Sequence, residues 1–284
     1  MEMIKSLEKM SLDSLFNVFN EAFRDYEMQL NKDELHTLLI RRGFVPELSF
    51  GAFIEDKMVA FTFNGIGLFN SLKTAYDTGT GTVKDYRGKG LATRIFTHSI
   101  PFLKKAGVSQ YLLEVLQHNT PAVNVYQKIG FNVSREFNYF VQRNEAVKLK
   151  GKCIIPDFHI KPVDLSWHED MTECWDFMPS WQNSFEAIAR NPEGFIMEGA
   201  FLKQKFAGYC IFDPESGDIA QLAVNQNYRR KGIASALLGQ ALKSNLHNNI
   251  KAINTQVDCE SLTGFLESNM ISLKGKQFEM IKTI

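Results

Sequence analysis

The chain has 284 residues, of which 44% are hydrophobic and 23% charged, and its 32 Lys and Arg balance its 32 Asp and Glu. This composition is typical of a soluble globular protein with one large or two ordinary domains, and the charge balance gives no global attraction to nucleic acid or to an acidic membrane. No apolar stretch is long enough to span a bilayer and the N-terminus lacks a signal-peptide pattern, so the sequence predicts a cytoplasmic protein.

Apolar periodicity and turn residues define the elements of the first half. Ser11 and Asp13 mark the start of the first helix, and Asn119 or Thr120 is the N-cap of a later one, with Pro121 at its first position. The predicted order is helices over 12–26 and 33–42, strands over 48–54, 58–63 and 74–83, a helix over 90–106, a strand over 110–115, a helix ending at 128, and strands over 131–141 and 146–149.

The second half repeats this order of elements. Its predicted elements are a strand over 153–163, helices over 169–177 and 184–190, strands over 194–202, 206–212 and 218–224, a helix over 232–245, a strand over 252–257, a short helix ending near 268, and a strand over 278–283. We therefore expect two α+β domains, 1–150 and 151–284, that meet near Gly151 without a flexible linker.

The stretch Asp-Tyr-Arg-Gly-Lys-Gly-Leu-Ala at 85–92 lies between a predicted strand and a predicted helix. Gly88 and Gly90 can adopt backbone conformations that other residues avoid, which would leave amide N–H groups free to face an anion. The start of the following helix favours an anion, and Arg87 and Lys89 add positive charge. A phosphate-binding turn and an ordinary basic turn both fit one copy of this stretch.

A second copy, Asn-Tyr-Arg-Arg-Lys-Gly-Ile-Ala, occurs at 227–234, again after an apolar strand and before a helix. The first copy satisfies neither the P-loop pattern nor the Gly-x-Gly-x-x-Gly dinucleotide pattern, since Thr93 stands at the third small position of the latter. The four cysteines have no CxxC spacing and the six histidines no HxxxH spacing, so we expect no metal site.

These motifs resemble those of the GNAT superfamily of acyl-CoA-dependent N-acetyltransferases, present twice. The family signature Gln/Arg-x-x-Gly-x-Gly/Ala is met at 87–92 and again at 229–234. A second family block, an Asn and an Ala followed by Tyr-x-Lys-x-Gly-Phe, is met at 119–131. The second half lacks that block, because Leu266 stands at the position of Tyr126.

The resemblance implies two tandem domains, each with a mixed, mostly antiparallel sheet flanked by helices. It implies acetyl-CoA as the cofactor, its pyrophosphate on the signature turns and its pantetheine arm between the strands 74–83 and 110–115. The implied cofactor contacts are Val83, Arg87, Gly88, Lys89, Gly90, Leu91, Ala92 and Asn119 in the first half, and Leu222, Val224, Arg229, Arg230, Lys231, Gly232, Ile233 and Ala234 in the second. Asn119 is equally a helix cap.

Tyr126 occupies the family's tyrosine position, which implies that it protonates the departing thiolate. Asp77 and Glu114 lie on the strands that would flank the thioester, and either is a general base, an anchor for the substrate amine or a charge at a sheet edge. In the second half, Trp181, Gln182 and Asn183 lie where such folds build acceptor pockets, with packing as the alternative for Trp181.

The sequence thus predicts an N-acetyltransferase whose first domain transfers an acetyl group from acetyl-CoA to a small-molecule or peptide amine by direct attack. Two alternatives stay open: catalysis in the second domain, and a non-catalytic CoA-binding or regulatory protein. A monomer with two pseudo-symmetric domains and a homodimer both fit, and the acceptor amine cannot be identified from the fold.

Overall fold

The computed structural model describes residues 2–26, 29–151, 153 and 155–284. The chain divides into two compact units: unit 1 comprises Met1–Arg135 with Phe278–Ile284, and unit 2 comprises Glu136–Gln277. The last residues of the chain thus fold with unit 1, which no sequence pattern indicated. The division into 1–150 and 151–284 describes the duplicated sequence and stays a prediction.

Unit 1 is built on a mixed sheet with the strand order β1-β2-β3-β4-β5, followed by residues 278–283 of the last strand, β12 (Ser272–Thr283). Pairing is antiparallel from β1 to β4 and parallel between β4 and β5. The elements of this unit are β1 (Glu2–Ser6), α1 (Leu12–Phe23), α2 (Lys32–Arg41), β2 (Phe50–Ile54), β3 (Lys57–Phe69), β4 (Leu72–Thr82), α3 (Leu91–Lys105), β5 (Gln110–Leu116) and α4 (Thr120–Lys128).

Unit 2 repeats this plan with the strand order β6-β11-β10-β9-β8-β7, in which only the β10–β11 pair is parallel. Its elements are β6 (Asn132–Arg143, in this unit from Glu136), β7 (Phe158–Pro162), α5 (His168–Thr172), α6 (Phe185–Ala189), β8 (Ile196–Leu202), β9 (Lys205–Asp213), β10 (Asp218–Val224), α7 (Ile233–Ser244), β11 (Asn249–Gln256), α8 (Glu260–Ser268) and the start of β12 (Ser272–Thr283, in this unit to Gln277). The predicted mixed α/β class, with a mostly antiparallel sheet in each half, is confirmed.

Helices cover both faces of the unit 1 sheet. The apolar faces of α1 and α2 pack on Phe61 and Phe63, whereas α3 packs on Phe50 and Ala60. Ala60 and Phe61 are neighbours on β3, and successive side chains of a strand point to opposite faces. The sheet is therefore buried on both sides, which explains why the sequence of β3 is almost continuously apolar from Met58 to Phe63.

Three predicted elements, one at the end of the first half and two in the second half, were wrong in extent or type. Residues 144–146 form a 3-10 turn, and the backbone N–H of Lys148 donates to the carbonyl of Asn269, so 146–149 is not a strand. The helix predicted over 169–177 is limited to His168–Thr172, and the strand predicted from 153 begins at Phe158. Residue 154 of that prediction lies outside the described residues.

The caps at the predicted helix starts are confirmed. Ser11 accepts from the N–H of Ser14 at the start of α1, and Asn119 accepts from the N–H of Ala122 at the start of α4. Within the described ranges, none of the helices is long and apolar enough to cross a membrane, and no group of three or more His, Cys, Asp or Glu side chains is placed to hold a metal ion.

Candidate functional site

The first signature turn joins the end of β4 to the start of α3. Gly88 and Gly90 have φ angles of +75° and +73°. A Cβ added to Gly88 would meet no atom within 4 Å, so a glycine is favoured there by its positive φ rather than by a close approach of the chain's own atoms. Gly90 is also the N-cap of α3.

The second turn has the same shape with one difference in sequence. Gly232 has φ +82° and is the N-cap of α7. Arg230, which stands where the first turn has Gly88, has φ +61°. A left-handed conformation costs a non-glycine residue roughly 1–2 kcal/mol, so the second turn keeps its shape against the preference of its own sequence.

Both signature arginines bind the protein's own oxygen atoms. The Nε of Arg87 donates to the carbonyl of Thr82 at 3.1 Å, and its Nη2 donates to the carbonyl of Ala22 at 2.7 Å. In the same way Arg229 donates from Nε to the carbonyl of Val224 at 2.9 Å and from Nη2 to Asp176 at 2.8 Å. Each arginine therefore ties its turn to the end of the preceding strand.

The first turns of α3 and α7 are open to an anion. Neither Gly90 nor Gly232 supplies a side chain to cap the helix, in contrast to Ser11, Asn31 and Asn119 at α1, α2 and α4. The unpaired N–H groups and the positive end of the helix dipole coincide there. These two helix starts fit a phosphate group, and the backbone rather than the arginine fork would be the main donor.

The two parallel strands beside each turn separate part of the way along their length. In unit 1 the register pairs of β4 and β5 run from Thr74↔Gln110 to Tyr76↔Leu112, although both strands continue. In unit 2, β10 and β11 share the single register pair Asp218↔Lys251. A gap thus opens between the strands next to each signature turn.

Asp77 and Tyr126 meet at the start of the gap in unit 1. The hydroxyl of Tyr126 donates to Oδ2 of Asp77 at 3.1 Å, and the hydroxyl of Thr80 lies 2.9 and 3.0 Å from the two oxygens of the same carboxylate. Asp77 is 8% exposed and Tyr126 9% exposed. The tyrosine ring is held edge-on by Phe96 and by Phe131.

Burial raises the pKa of both Asp77 and Tyr126. It raises the pKa of Asp77 from 3.8 to about 6, against the opposing effect of the hydrogen bonds from Thr80 and Tyr126 and of the positive charge of Arg42. Burial, and then the negative charge of Asp77, raise the pKa of Tyr126 well above its usual 10. At neutral pH the pair is therefore a carboxylate that can accept a proton and a phenol that can donate one.

Glu114 lies on β5, two residues beyond the last register pair with β4, and is not part of the Asp77–Tyr126 pair. It is half-buried on β5 and interacts with Tyr76, whose pKa it helps to raise after the larger effect of burial. Tyr76 and Asp77 are neighbours on β4, so their side chains point to opposite faces of the sheet. The structure brings together Asp77 and Tyr126 of the predicted catalytic residues and groups Glu114 with Tyr76.

The corresponding positions in unit 2 are apolar. Register shifts in the β3–β4 and β9–β10 pairings leave Thr78 and Ala220 without a partner, and the residues before them are Asp77 and Ile219. Leu266 replaces Tyr126 on α8, and Ile219 and Leu266 belong to one hydrophobic cluster. Unit 2 therefore has no acid–base pair at these two positions.

A cavity of about 600 Å³ lies in unit 2 beside the second turn. Most of the residues predicted to bind a cofactor in the second half line it together with Asn183: Leu222, Val224, Arg229, Arg230, Gly232, Ile233 and Ala234. Lys231 is exposed, with its Nζ 5.5 Å from the centre of the Tyr228 ring, as Lys89 is placed 4.8 Å from the Tyr86 ring in unit 1. The Val83 side chain is buried in the hydrophobic cluster that α1 and α2 form on β3, and that of Leu91 is buried against β2 and β3.

The segment Trp181–Asn183 is a buried 3-10 turn. Trp181 is 1% exposed and lies against the guanidinium of Arg190, which agrees with the packing alternative, and its contact with a substrate stays a prediction. Asn183 donates from Nδ2 to the carbonyl of Ile253 at 3.0 Å and accepts at its own carbonyl from Gln221 at 2.6 Å.

Sequence reasoning missed Thr80 and Gln221. Residues 77 and 80 of a regular strand point to opposite faces, and only the bulge at Thr78 brings Thr80 to the Asp77 carboxylate. Gln221 accepts from the hydroxyl of Tyr209, which accepts from Trp175. No sequence signal marks the bulge, whereas a buried glutamine within the apolar run of β10 could have been noticed.

Comparison with known proteins identifies relatives of both halves. The model of the acetyltransferase (GNAT) family matches residues 12–131 and 162–264. The chain is 27% identical over 137 residues to N-alpha-acetyltransferase 30 of Schizosaccharomyces pombe, a match that spans 45% of this chain and 91% of the yeast protein. It is 28% identical over 121 residues to N-alpha-acetyltransferase MAK3 of Arabidopsis thaliana, which spans 41% of this chain and 64% of that protein.

Solved structures resemble the chain over nearly its whole length. A tandem GNAT protein from the clavulanic acid biosynthesis pathway has a TM-score of 0.74 at 10% identity, and the match covers 100% of this chain and 98% of that one. A GCN5-related N-acetyltransferase from Sphaerobacter thermophilus has a TM-score of 0.72 at 12% identity, with 99% and 95% covered. At these identities the likeness establishes the fold alone.

Proposed function

The chain belongs to the acetyltransferase (GNAT) family, and from this premise we propose that unit 1 transfers an acetyl group from acetyl-CoA to a primary amine by direct attack. The observation that carries the proposal is the buried hydrogen bond between Tyr126 and Asp77 at the point where β4 and β5 separate. Unit 2 has Leu266 and Ile219 at the matching positions.

The residues of unit 1 fit acetyl-CoA, which supplies the acetyl group as a thioester. The backbone N–H groups of Gly88, Gly90 and Ala92 bind the pyrophosphate at the uncapped start of α3. The side chains of Val83 and Leu91 are buried, so these two residues contribute backbone contacts only. Asn119 keeps its Nδ2 for the cofactor, because its Oδ1 caps α4.

Asp77 and Tyr126 act as a proton relay in this proposal. Asp77 is mostly ionised at neutral pH and accepts a proton from the attacking amine, directly or through a water molecule. Tyr126 gives its proton to the departing thiolate and recovers one from Asp77 along their hydrogen bond. The net result moves one proton from the amine nitrogen to the thiol sulfur. The last part of this relay, from Asp77 through Tyr126 to the thiolate, is favourable, because a thiol pKa of about 8.5 lies above that of Asp77.

The acceptor is proposed as a primary amine of a peptide or a small molecule. The named relatives are N-alpha-acetyltransferases, so peptides with a free N-terminus come first in a substrate panel. An α-amino group has a pKa of roughly 8 and is more readily neutral than a lysine side chain. Glu114 is the second carboxylate near the gap and serves as the anchor for the acceptor. The monomer and the homodimer stay open predictions.

The test is release of CoA from acetyl-CoA with a panel of peptide and small-molecule amines, for wild type and for Tyr126→Phe. The variant keeps the ring that packs on Phe96 and removes the hydroxyl, so we expect a loss of about 10²–10⁴-fold in turnover. An unimpaired variant would refute the role of Tyr126. A wild type that releases no CoA with any amine would refute the transferase activity.

The cavity beside the second turn favours a second candidate, in which unit 2 is catalytic or the protein is a CoA-binding regulator. Ala92→Asp and Ala234→Asp form a matched pair that distinguishes these functions. Each places a carboxylate in the first turn of α3 or α7, where it favours the helix but repels a phosphate. Turnover lost only in Ala92→Asp supports unit 1 as the catalytic unit, and turnover lost only in Ala234→Asp supports unit 2.

A further inference from the structure

The chain that follows α2 is bonded to β3 at the point where β3 faces Asp77. The backbone N–H of Ile66 donates to the carbonyl of Gly43 at 2.9 Å. The backbone N–H of Val45 donates to the carbonyl of Asn64 at 2.8 Å. On the other side of β3, Asn64 is the register partner of Asp77 on β4. The C-terminal end of α2 is therefore fixed one strand away from the proposed base.

Gly65 allows this close approach of α2 to the sheet. A Cβ at Gly65 would clash with the carbonyl oxygen of Arg42 and would lie 3.2 Å from the hydroxyl oxygen of Thr78. The clash is with a backbone atom, so no side-chain rotation relieves it, and any other residue at 65 would push the end of α2 away from β3.

The side chain of Arg42 extends from the end of α2 to the bulge in β4. Its Nη1 donates to the carbonyl of Thr78 at 2.9 Å, and its Cζ lies 5.8 Å from the centre of the Tyr76 ring. Arg42 is half-buried, and Thr78 is 4% exposed. Thr78 is the residue without a register partner on β3. A charged donor thus binds the backbone of the one residue that the regular ladder leaves out.

The bulge determines where the Asp77 carboxylate points. It brings Thr80 to the same side of the sheet as Asp77, and it leaves Oδ2 of Asp77 3.1 Å from the hydroxyl of Tyr126. A bulge interrupts the strand pairing and is held less firmly by the ladder than a regular pair. A misplacement of about 1 Å in a proton-transfer geometry costs about 10²-fold in rate. A contact that fixes the bulge therefore bears directly on turnover.

Other ionisable groups around Asp77 come from β4, β5 and α2, in addition to the hydrogen-bond donors Thr80 and Tyr126. Burial, and to a smaller extent the charge of Asp77, raise the pKa of Tyr76 and of Tyr111 well above 10. Both are neutral phenols at pH 7. Glu114 acts on Tyr76 and adds negative charge on β5. Arg42 supplies the positive charge that acts on Asp77.

Unit 2 has an arginine at the matching helix end. Arg190 is the C-cap residue of α6, as Arg42 is of α2. Its Nη2 lies 2.8 Å from Oε1 of Glu186, and its Cζ lies 5.2 Å from the centre of the Trp181 ring. In the unit that lacks the carboxylate of Asp77, the arginine thus packs on a buried tryptophan.

We propose that Arg42 is a positioning residue of the acetyl transfer, which fixes the bulge at Thr78 and places a positive charge beside the carboxylate of Asp77. The inference rests on the proposed function for the reaction, and its geometry rests on the close approach at Gly65 and on the hydrogen bond to Thr78. A positive charge favours the ionised carboxylate, so removal of the charge raises the pKa of Asp77 above about 6.

The test compares wild type with Arg42→Gln, Arg42→Lys and Gly65→Ala in the full chain. Lys57→Gln is the matched control, because it removes one positive charge at the far end of β3, where Lys57 is 58% exposed and binds Glu21. Release of CoA from acetyl-CoA, with the peptides of the amine panel as acceptors, gives kcat and KM as a function of pH. Circular dichroism verifies that each variant is folded.

The diagnostic feature of the pH profile is a bend, below which log kcat/KM falls more steeply because Asp77 is protonated. It lies at about pH 6 in wild type. In Arg42→Gln we expect the bend to move up by about one pH unit and kcat at pH 7 to fall about 10–100-fold. The KM for acetyl-CoA stays at the wild-type value, since the start of α3 is not changed.

The remaining variants separate charge from placement. Arg42→Lys keeps the charge, so its bend stays near pH 6 and it recovers part of the lost kcat. Gly65→Ala moves the end of α2 with Arg42 in place, and we expect its kcat to fall about 10-fold or more. Lys57→Gln has the wild-type profile.

An unmoved bend in Arg42→Gln, an equal displacement in Lys57→Gln or the wild-type kcat in Gly65→Ala would overturn the inference. Infrared titration of the Asp77 carboxyl group, with Asp77→Asn as the blank, needs no acceptor. If wild type acetylates no amine, the proposed function fails. An Asp77 band that titrates about one pH unit higher in Arg42→Gln than in wild type would then still support the contact, and an unshifted band would overturn it.

Discussion

Replacement of Asp77 by Asn separates a catalytic role from a structural one. A pKa raised from 3.8 to about 6 means that the ionised carboxylate costs the folded state about 3 kcal/mol at neutral pH. Because the pKa of the folded state is the higher one, the associated stability is present below about pH 4 and is lost as the pH rises through 6. Asn removes the charge and still accepts from Thr80. We therefore expect Asp77→Asn to unfold with a free energy about 1–3 kcal/mol higher than wild type at pH 7.5.

Activity is expected to move in the opposite direction. Loss of a general base lowers turnover by about 10²–10⁴-fold. For wild type, log kcat/KM rises with pH between pH 6 and 8, because the acceptor amine loses its proton over this range. Below about pH 6 the plot becomes steeper, because Asp77 is then protonated as well. Asp77→Asn lacks this bend. Urea unfolding and CoA release are the two assays, and a variant that is destabilised yet retains turnover and the bend would refute the assignment of Asp77 as base.

Three further changes have defined outcomes. Thr80→Val removes a hydrogen bond that lowers the pKa of Asp77, so the bend in the pH–rate profile moves above pH 6, and an unmoved bend would contradict the contact. Arg230→Gly relieves a φ of +61° and stabilises the protein by roughly 1 kcal/mol in urea unfolding, and a destabilised variant would count against strain at this turn. Arg135→Ala leaves the carboxylate of Glu279, 1% exposed, without the guanidinium 2.6 Å away and lowers the unfolding free energy by about 3–5 kcal/mol, whereas a loss below about 1 kcal/mol would show that the pair is solvated.

The order of elements and the two signature turns could be predicted because their signals are local. Apolar spacing defined α1 and α3, and the cap at Asn119 with Pro121 defined the start of α4. Glycines at 88, 90 and 232 indicated positive φ, and the structure has it at each. Arg230 had no such signal, since its conformation is imposed by the surrounding turn.

The parts that escaped prediction depend on contacts between distant residues. The hydrogen bond between Asp77 and Tyr126 joins residues that are 49 positions apart in the sequence. It forms only because β4 and β5 stop pairing near Asp77 and because α4 packs beside that point. The helix predicted over 169–177 ends at Thr172, because Glu173 and Cys174 form a turn instead. The folding of residues 278–284 with unit 1 has no local signal, because it depends on pairing with strands that are far away in the sequence.

The most direct test of the central claim is mass spectrometry of amine acceptors after incubation with acetyl-CoA, for wild type, Tyr126→Phe and Ala92→Asp side by side. Catalysis in unit 1 predicts that at least one peptide or small-molecule amine gains a single acetyl group with wild type and that both variants lose this product at least 100-fold. Acetylated product at the wild-type rate with either variant, or no acetylated amine with wild type, would contradict it.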